Sequence, residues 1–158
     1  MIPATSPCTL KPHLKQNYPM TPVPPTLEKI DAIMPFLDKF EEVEFSAGNW
    51  KIEEGHFPWF NFDEVVMEFV QILYDNDWVT PNFDWTEWQD SAKQYVESPK
   101  MIESANTMTI QRLLTTHARA DRFCEGHLAS MFENGHLLAL LRRLQVLRSE
   151  MKRKGTHE

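Results

Sequence analysis

The chain is short of cysteine and glycine, and it lacks any long apolar run. Its 158 residues include two cysteines and five glycines, which excludes a disulfide-rich scaffold and predicts that Cys8 and Cys124 are free thiols. No phosphate loop, dinucleotide fingerprint or nucleophile elbow is present. No segment approaches the roughly 20 apolar residues that cross a bilayer, and the first residues lack a signal-peptide core. These absences predict a cytoplasmic protein without membrane contact.

Charge is distributed unevenly along the chain. The net charge is -7, but residues 1–106 carry -11 and residues 107–158 carry +4. Domains that bind nucleic acid are usually positive overall, so the asymmetry favours two halves that complement each other. The alternative is a nucleic-acid-binding regulator that uses the basic carboxy-terminal helix, with Arg148, Lys152 and Arg153 as contacts. The leucines of that helix leave little polar surface with which to read bases.

Proline separates the chain into two predicted parts. Seven of the 11 prolines lie in residues 1–25, where they obstruct helices and sheet ladders alike. We therefore predict a flexible proline-rich arm at 1–25 and a single helical domain at 26–154.

Apolar spacing and capping residues predict a mainly α fold. Thr26 and Asp63 precede helical apolar stripes, a third helix opens at Asp84 or Thr86, a short helical turn starts at Pro99, and the longest helical region starts near Asn106. Gly126 and Gly135 are expected to break that last region. The aromatic, glycine-punctuated sequence at residues 44–62 fits a small β-hairpin. Together these features predict a compact bundle of about five or six helices with a small hairpin.

Three segments resemble a bacterial domain-of-unknown-function family, number 6508. They are LEKIDAIMPFLDKF, FDWTEWQDSAKQYV and, most specifically, RLLTTHARADRFCEGHLASMFENGHLLALLRRL. The resemblance covers about residues 27–148. It implies a small, mostly helical cytoplasmic protein, and it brings no established reaction, cofactor or catalytic residue.

The polar residues within the last segment form the candidate ligand-binding or structural cluster: His117, Arg119, Arg122, Glu125 and His127. Imidazole and carboxylate suit transition metals, but ligands on one helix face should recur three or four residues apart, and these do not. We therefore predict neither a metal nor another cofactor. If the chain folds back at Gly126, His117 could still meet His127 or His136. Arg122 and Glu125 either help to bind an anion or form a structural ion pair.

Two further groups of residues have competing interpretations. Cys124 could be a nucleophile, but a buried apolar role is favoured. Thirteen of the 18 aromatic residues lie between Phe45 and Tyr95; within that segment Trp50 and Trp59 are the candidate interface residues because they fall on the predicted hairpin.

The leading functional hypothesis is a non-catalytic protein-interaction module that binds another protein through the hairpin surface and the arm. The alternatives are an enzyme or small-ligand binder that uses the His/Arg/Glu cluster at 117–136, and the nucleic-acid-binding regulator. No catalytic residue can be assigned. Convergence of the cluster in an open cleft would favour the enzyme, whereas buried or diverging side chains would favour the interaction module.

Overall fold

The computed structural model describes residues 23–81 and 83–155. Within these ranges the fold is mainly α-helical with one small antiparallel hairpin, which confirms the predicted class. The elements in chain order are α1 (Leu27–Ile33), α2 (Pro35–Phe40), β1 (Gly48–Lys51), β2 (Trp59–Phe62), α3 (Glu64–Asp75), α4 (Gln89–Glu97), a 3-10 helix (Pro99–Ser104), α5 (Thr107–Ala120), α6 (His127–Glu133) and α7 (His136–Gly155). The predicted arm lies outside the described residues except for its last three. No helix within those ranges is long and apolar enough to span a bilayer.

Local capping explains where several helices begin. The side chains of Thr26, Asp63 and Asn106 accept hydrogen bonds from the first-turn amides of α1, α3 and α5. Each cap provides an acceptor for an amide that has no partner inside its helix. The first and second of these caps, and the start of the long region near Asn106, are as the sequence predicts.

Pro35 and Asp84 determine two of the helix boundaries. Pro35 starts a separate helix, α2, because a proline is well tolerated in the first helical turn. This division raises the number of α-helices in the described ranges to seven. Helix α4 starts at Gln89, later than expected, because the Asp84 carboxylate accepts bonds from the Thr86 and Glu87 amides. That local turn takes the place of a first helical turn.

Helix α5 lies at the centre of the core. Its Ile110, Leu113 and Leu114 are almost fully buried, and they belong to one apolar cluster with the buried leucines of α7, which are Leu137, Leu140, Leu141 and Leu144. Five phenylalanine rings from α2, α3, α6 and the loop before β1 contact one another beside it: Phe36, Phe40, Phe45, Phe69 and Phe132. Burial of this surface is the main stabilising contribution.

A polar stripe on α5 holds the loop that follows α3. Gln111, Thr115 and Arg119 are spaced four residues apart, so they share one face of the helix. They donate to the backbone carbonyls of Asp77, Trp78 and Thr80 over 3.0, 2.8 and 3.4 Å. The Thr115 hydroxyl also accepts from the Thr80 amide at 3.2 Å. These three polar residues therefore satisfy the backbone of a loop that has no regular structure of its own.

We expect Thr115→Val to lower the free energy of unfolding by about 1–3 kcal/mol, because it keeps the volume but removes the partner of the Trp78 carbonyl and the Thr80 amide. Urea unfolding measures the loss. Thr116→Val is the matched control, since the Thr116 hydroxyl donates to the Arg112 carbonyl of the same helix. Equal losses for the two variants would contradict the role of Thr115.

The basic last helix pairs with the acidic first part of the chain. Arg142 lies 3.6 Å from Glu41, and the Arg148 guanidinium donates to the Asp31 carboxylate. Exposed pairs of this kind are each worth about 1 kcal/mol or less. They fit the interpretation that the two halves complement each other electrostatically. One of the pairs involves Arg148, which is among the three residues proposed to contact nucleic acid.

The hairpin has one inner and one outer face. Trp50 pairs with Phe60, and Lys51 with Trp59. Because side chains alternate along a strand, Trp50 and Phe60 share the inner face, where their rings meet edge to face at 5.6 Å. Lys51 and Trp59 share the exposed face.

Candidate functional site

Three histidines from three helices form a hydrogen-bonded chain in the interior. The Nδ1 atom of His117 lies 3.0 Å from Nε2 of His127, and the Nε2 atom of His117 lies 3.0 Å from Nε2 of His136. His117 and His136 are 3% and 4% exposed, and His127 is half-buried. We call these three residues the histidine chain. It joins the last turns of α5 to the first residues of α6 and α7.

A repeated tripeptide, Gly-His-Leu, places the two outer histidines. It occurs at residues 126–128 and 135–137. The glycines have φ angles of +81° and +80°, in the left-handed region that favours glycine. Each histidine is then the first residue of a helix, and each leucine is buried. Both glycines thus break the last helical region, as the sequence predicts, and both breaks aim an imidazole at His117.

Side chains upstream of each break cap the two new helices. The Asp121 carboxylate accepts from the Leu128 amide at 2.9 Å, and the Asn134 side chain accepts from the His136 amide at 2.9 Å. Burial, followed by repulsion from the Glu125 carboxylate, raises the pKa of Asp121 to about 6, although the bond from Leu128 acts in the opposite direction. Asp121 is therefore a titratable cap on α6.

Burial makes all three histidines poor bases. It is the main cause that lowers the pKa of His117 well below 6.5, and the neighbouring His136 and His127 lower it further. Burial also lowers the pKa of His127. The pKa of His136 falls to about 4, mainly through burial and then through His127. At neutral pH the histidine chain is therefore uncharged.

The neutral chain satisfies both of its nitrogen–nitrogen contacts. A neutral imidazole has one N–H donor and one acceptor nitrogen, so the three rings can all donate in one direction along the chain or all in the other. His117 uses both of its ring nitrogens, on opposite sides of the ring. One metal ion cannot bind both nitrogens of one imidazole, and within the described ranges no group of three or more His, Cys, Asp or Glu is arranged to hold a metal.

The charged residues of the predicted cluster, Arg119, Arg122 and Glu125, contact different partners. Arg119 donates to the Thr80 carbonyl and leaves its buried Nε without a partner. The Arg122 guanidinium lies over the Tyr74 ring, 5.2 Å from its centroid. Glu125 accepts from the Phe60 amide at 2.7 Å. The cluster is therefore divided: the two histidines meet in the interior, whereas the arginines and the glutamate diverge.

Two contacts fix the hairpin to the connection between α5 and α6, residues 121–126, which we call the corner. One is the bond from the Phe60 amide to Glu125. The other is the close packing of Trp50 against Gly126, where an added Cβ would lie 2.5 Å from Cζ2 of the indole. Gly126 is thus needed both for its backbone conformation and for the space that its missing side chain leaves to Trp50.

The prediction of a free thiol at Cys124 is wrong. Cys124 is disulfide-bonded, so its sulfur has no thiol to ionise. The nucleophile interpretation fails for this physical reason, and Cys8 lies outside the described residues.

The remaining candidate residues differ in exposure. Trp50 is half-buried against the corner, whereas Trp59 is 37% exposed. Arg148 is engaged with Asp31, while Lys152 and Arg153 lie on the exposed end of α7.

The sequence carries signals for His136 and for the polar stripe on α5, neither of which belongs to the predicted cluster. The signal for His136 is the second Gly-His-Leu, which repeats the arrangement at residues 126–128. The signal for Gln111 and Thr115 is their spacing of four residues in register with Arg119, beside the apolar stripe of the same helix.

The fold and site define a small, mainly α-helical protein in which a histidine-linked corner supports a β-hairpin. The chain belongs to the family of unknown function DUF6508, whose model matches residues 25–150. The predicted resemblance is thereby confirmed. No curated protein and no solved structure matches the chain.

Proposed function

We propose that this protein is a non-catalytic, cytoplasmic protein-interaction module whose binding element is the tip of the hairpin. The observation that carries the proposal is a group of exposed apolar side chains on an element that is firmly held. Ile52, Phe57 and Trp59 are 60%, 94% and 37% exposed, and we call them the hairpin tip. Exposed apolar residues that are gathered within one short segment, as these are within residues 52–59, often mark interaction sites.

The way the hairpin is held supports this role. Trp50 and Phe60 attach its inner face to the corner and the core, while residues 52–58 extend beyond the two strands. A binding element that is fixed before its partner arrives loses less conformational entropy on binding. Aromatic residues that are held in this way are the type that dominates binding energy at interfaces.

Charge indicates the chemistry of the partner. Glu53 and Glu54 are exposed within the same loop, and the chain carries a net charge of -7. We propose a partner protein with an apolar cleft bordered by lysine or arginine. Complementary charge of this kind mainly raises the association rate and the specificity.

The histidine chain provides less support for the enzyme alternative. Two of its rings are almost fully buried, and Arg122 and Glu125 point to Tyr74 and to the hairpin. The proposed enzyme needs these groups to converge on a substrate in an open cleft. The ion pair between Arg148 and Asp31 likewise reduces the support for nucleic-acid binding.

We expect Phe57→Ser combined with Trp59→Ala to reduce recovery of the specific partner at least about tenfold, because apolar anchors carry most binding energy. The measurement is quantitative mass spectrometry of proteins retained by the tagged full chain, followed by titration of the purified partner. Val43→Ser is the matched control, since Val43 is fully exposed and lies in the segment between α2 and β1.

The charge of the partner is tested on the same purified pair. Glu53→Gln with Glu54→Gln should slow association and flatten its dependence on salt.

Full retention of every partner by the tip variant would refute the hairpin as the binding element. Sedimentation velocity that shows tip-dependent dimers of the chain itself would instead identify a second copy as the occupant and overturn the proposed partner chemistry.

A further inference from the structure

We propose that the histidine chain is a two-proton latch that holds the corner against the hairpin at neutral pH and releases the hairpin in acid. Its regulatory meaning depends on the proposed function, since the hairpin is the proposed binding element. The latch itself is a property of the folded protein alone and can be measured without a partner.

Counting protons on the three rings shows why two are needed. Each of the two nitrogen–nitrogen contacts at 3.0 Å needs one hydrogen between its atoms. The uncharged chain meets this requirement, and so does the chain with one added proton, because the outer nitrogens of the two end rings can both carry hydrogen. A second added proton must enter one of the contacts. Two N–H groups then face each other, and that contact has to open.

The contact between His117 and His127 is the one that should open. His127 is half-buried and can reach water, whereas His117 and His136 are almost fully buried. His127 is also the first residue of α6, and a positive charge is unfavourable at a helix N-terminus. The doubly protonated chain can therefore relieve both the repulsion and the burial of charge by moving His127 outwards.

Movement of His127 acts directly on the hairpin attachment. Gly126 and Glu125 immediately precede it, and they are the residues that contact Trp50 and the Phe60 amide. Trp50 packs so closely against Gly126 that a Cβ added there would lie 2.5 Å from the indole, so a displacement of Gly126 changes this contact. Release at His127 should therefore weaken both attachments together.

The charged groups that affect the histidine chain lie on α5, α6, α7 and the corner. The charges that lower the histidine pKa values are those of the other histidines, in α5, α6 and α7. On the corner, Asp121 and Glu125 are the neighbouring carboxylates, and Asp121 is the one whose pKa is raised to about 6. Asp121 is the group that could produce a transition in the same pH range, and the experiment has to separate it from the histidines.

The test is an NMR titration of the full chain with its Cys124 disulfide intact. It follows the Phe60 amide and the Trp50 indole, together with the ring resonances of the three histidines. We expect both hairpin signals to shift in one transition below pH 6.5, before global unfolding. Because burial lowers the pKa of all three histidines in the closed chain, the first proton should enter together with the second, with a Hill coefficient of about 2. The ring signals of the histidine chain should take up two protons in that same transition.

Two variants assign the transition. His127→Gln keeps an amide in place of the ring nitrogen but cannot take up a proton there; it should lower the midpoint by at least about one pH unit and abolish the cooperativity. Asp121→Asn keeps an acceptor oxygen for the Leu128 amide and should leave the transition in place. Loss of the transition in Asp121→Asn would assign it to the carboxylate and overturn the latch.

Hairpin signals that stay unmoved until the protein unfolds would also overturn the latch. If His127→Gln does not fold, titration of the histidine rings in the wild-type chain still tests the latch. Uptake of two protons together with release of the hairpin supports the latch, and separate transitions refute it. None of these outcomes depends on a partner, so failure of the proposed function would appear independently in the binding experiment with the tip variant.

Discussion

Gly126→Ala is expected to lower the free energy of unfolding by about 2–4 kcal/mol, from a left-handed backbone and a steric clash combined. The φ angle of +81° strains any residue with a Cβ, and that Cβ would lie 2.5 Å from the Trp50 ring. The indole is also held by its edge-to-face contact with Phe60, so moving away from the added Cβ would cost that contact. Urea unfolding at neutral pH measures the loss.

Gly135→Ala separates the two causes. Gly135 has nearly the same φ angle, +80°, and the same Gly-His-Leu context, but an added Cβ there meets nothing within 4 Å. It should therefore cost only the backbone strain, about 1–2 kcal/mol. Trp50→Ala combined with Gly126→Ala completes the comparison, because the small side chain at position 50 leaves room for the Cβ at position 126. Additive losses in that double variant would show that Trp50 and Gly126 do not interact.

Features set by neighbouring residues could be predicted from the sequence. The caps at Thr26 and Asp63 depend on a side chain and an amide within three residues, and the breaks at Gly126 and Gly135 depend on glycine itself. Helix α4 starts later than the sequence predicts, because Asp84 forms a local turn instead of a helix cap. Even there both possibilities are local, because an aspartate side chain can accept bonds in a turn as well as at the start of a helix.

The arrangement of the site could be predicted only in part. The sequence indicates that His117 can meet His127 or His136 if the chain folds back, and the structure brings it into contact with both. The partners of Glu125 and Arg122 are remote in the chain, at Phe60 and Tyr74. They follow from how the hairpin and α3 pack around α5, and neither spacing nor composition encodes that packing. The binding role of the hairpin stays a proposal for the same reason.

Stability should also depend strongly on pH, and the direction follows from the histidines. A histidine whose folded pKa lies below its unfolded value binds fewer protons in the folded state, so stability is lost as the pH falls below 6.5. For His136, the fall of the pKa from 6.5 to about 4 corresponds to about 3 kcal/mol lost between pH 7 and pH 4. His117 and His127 add to the loss in the same direction.

Asp121 opposes this loss. Its folded pKa of about 6 lies above 3.8, so the folded state gains stability from this group as the pH falls through about 6 towards 3.8. We therefore expect Asp121→Asn to be more stable than wild type at pH 7, where the buried charge is removed, and to lose stability more steeply in acid. Urea unfolding at pH 7, 6, 5 and 4 measures both slopes.

The histidine contribution is isolated by His136→Asn, with His56→Gln as the matched control in the exposed hairpin loop. His136→Asn should be less stable than wild type at pH 7, because His117 loses its Nε2 partner. Its stability should then fall less steeply, so that the two curves approach each other or cross near pH 4. Parallel curves for wild type and His136→Asn would show that this buried imidazole does not cause the acid sensitivity. His56→Gln should follow the wild-type curve throughout, since its side chain lies outside the histidine chain.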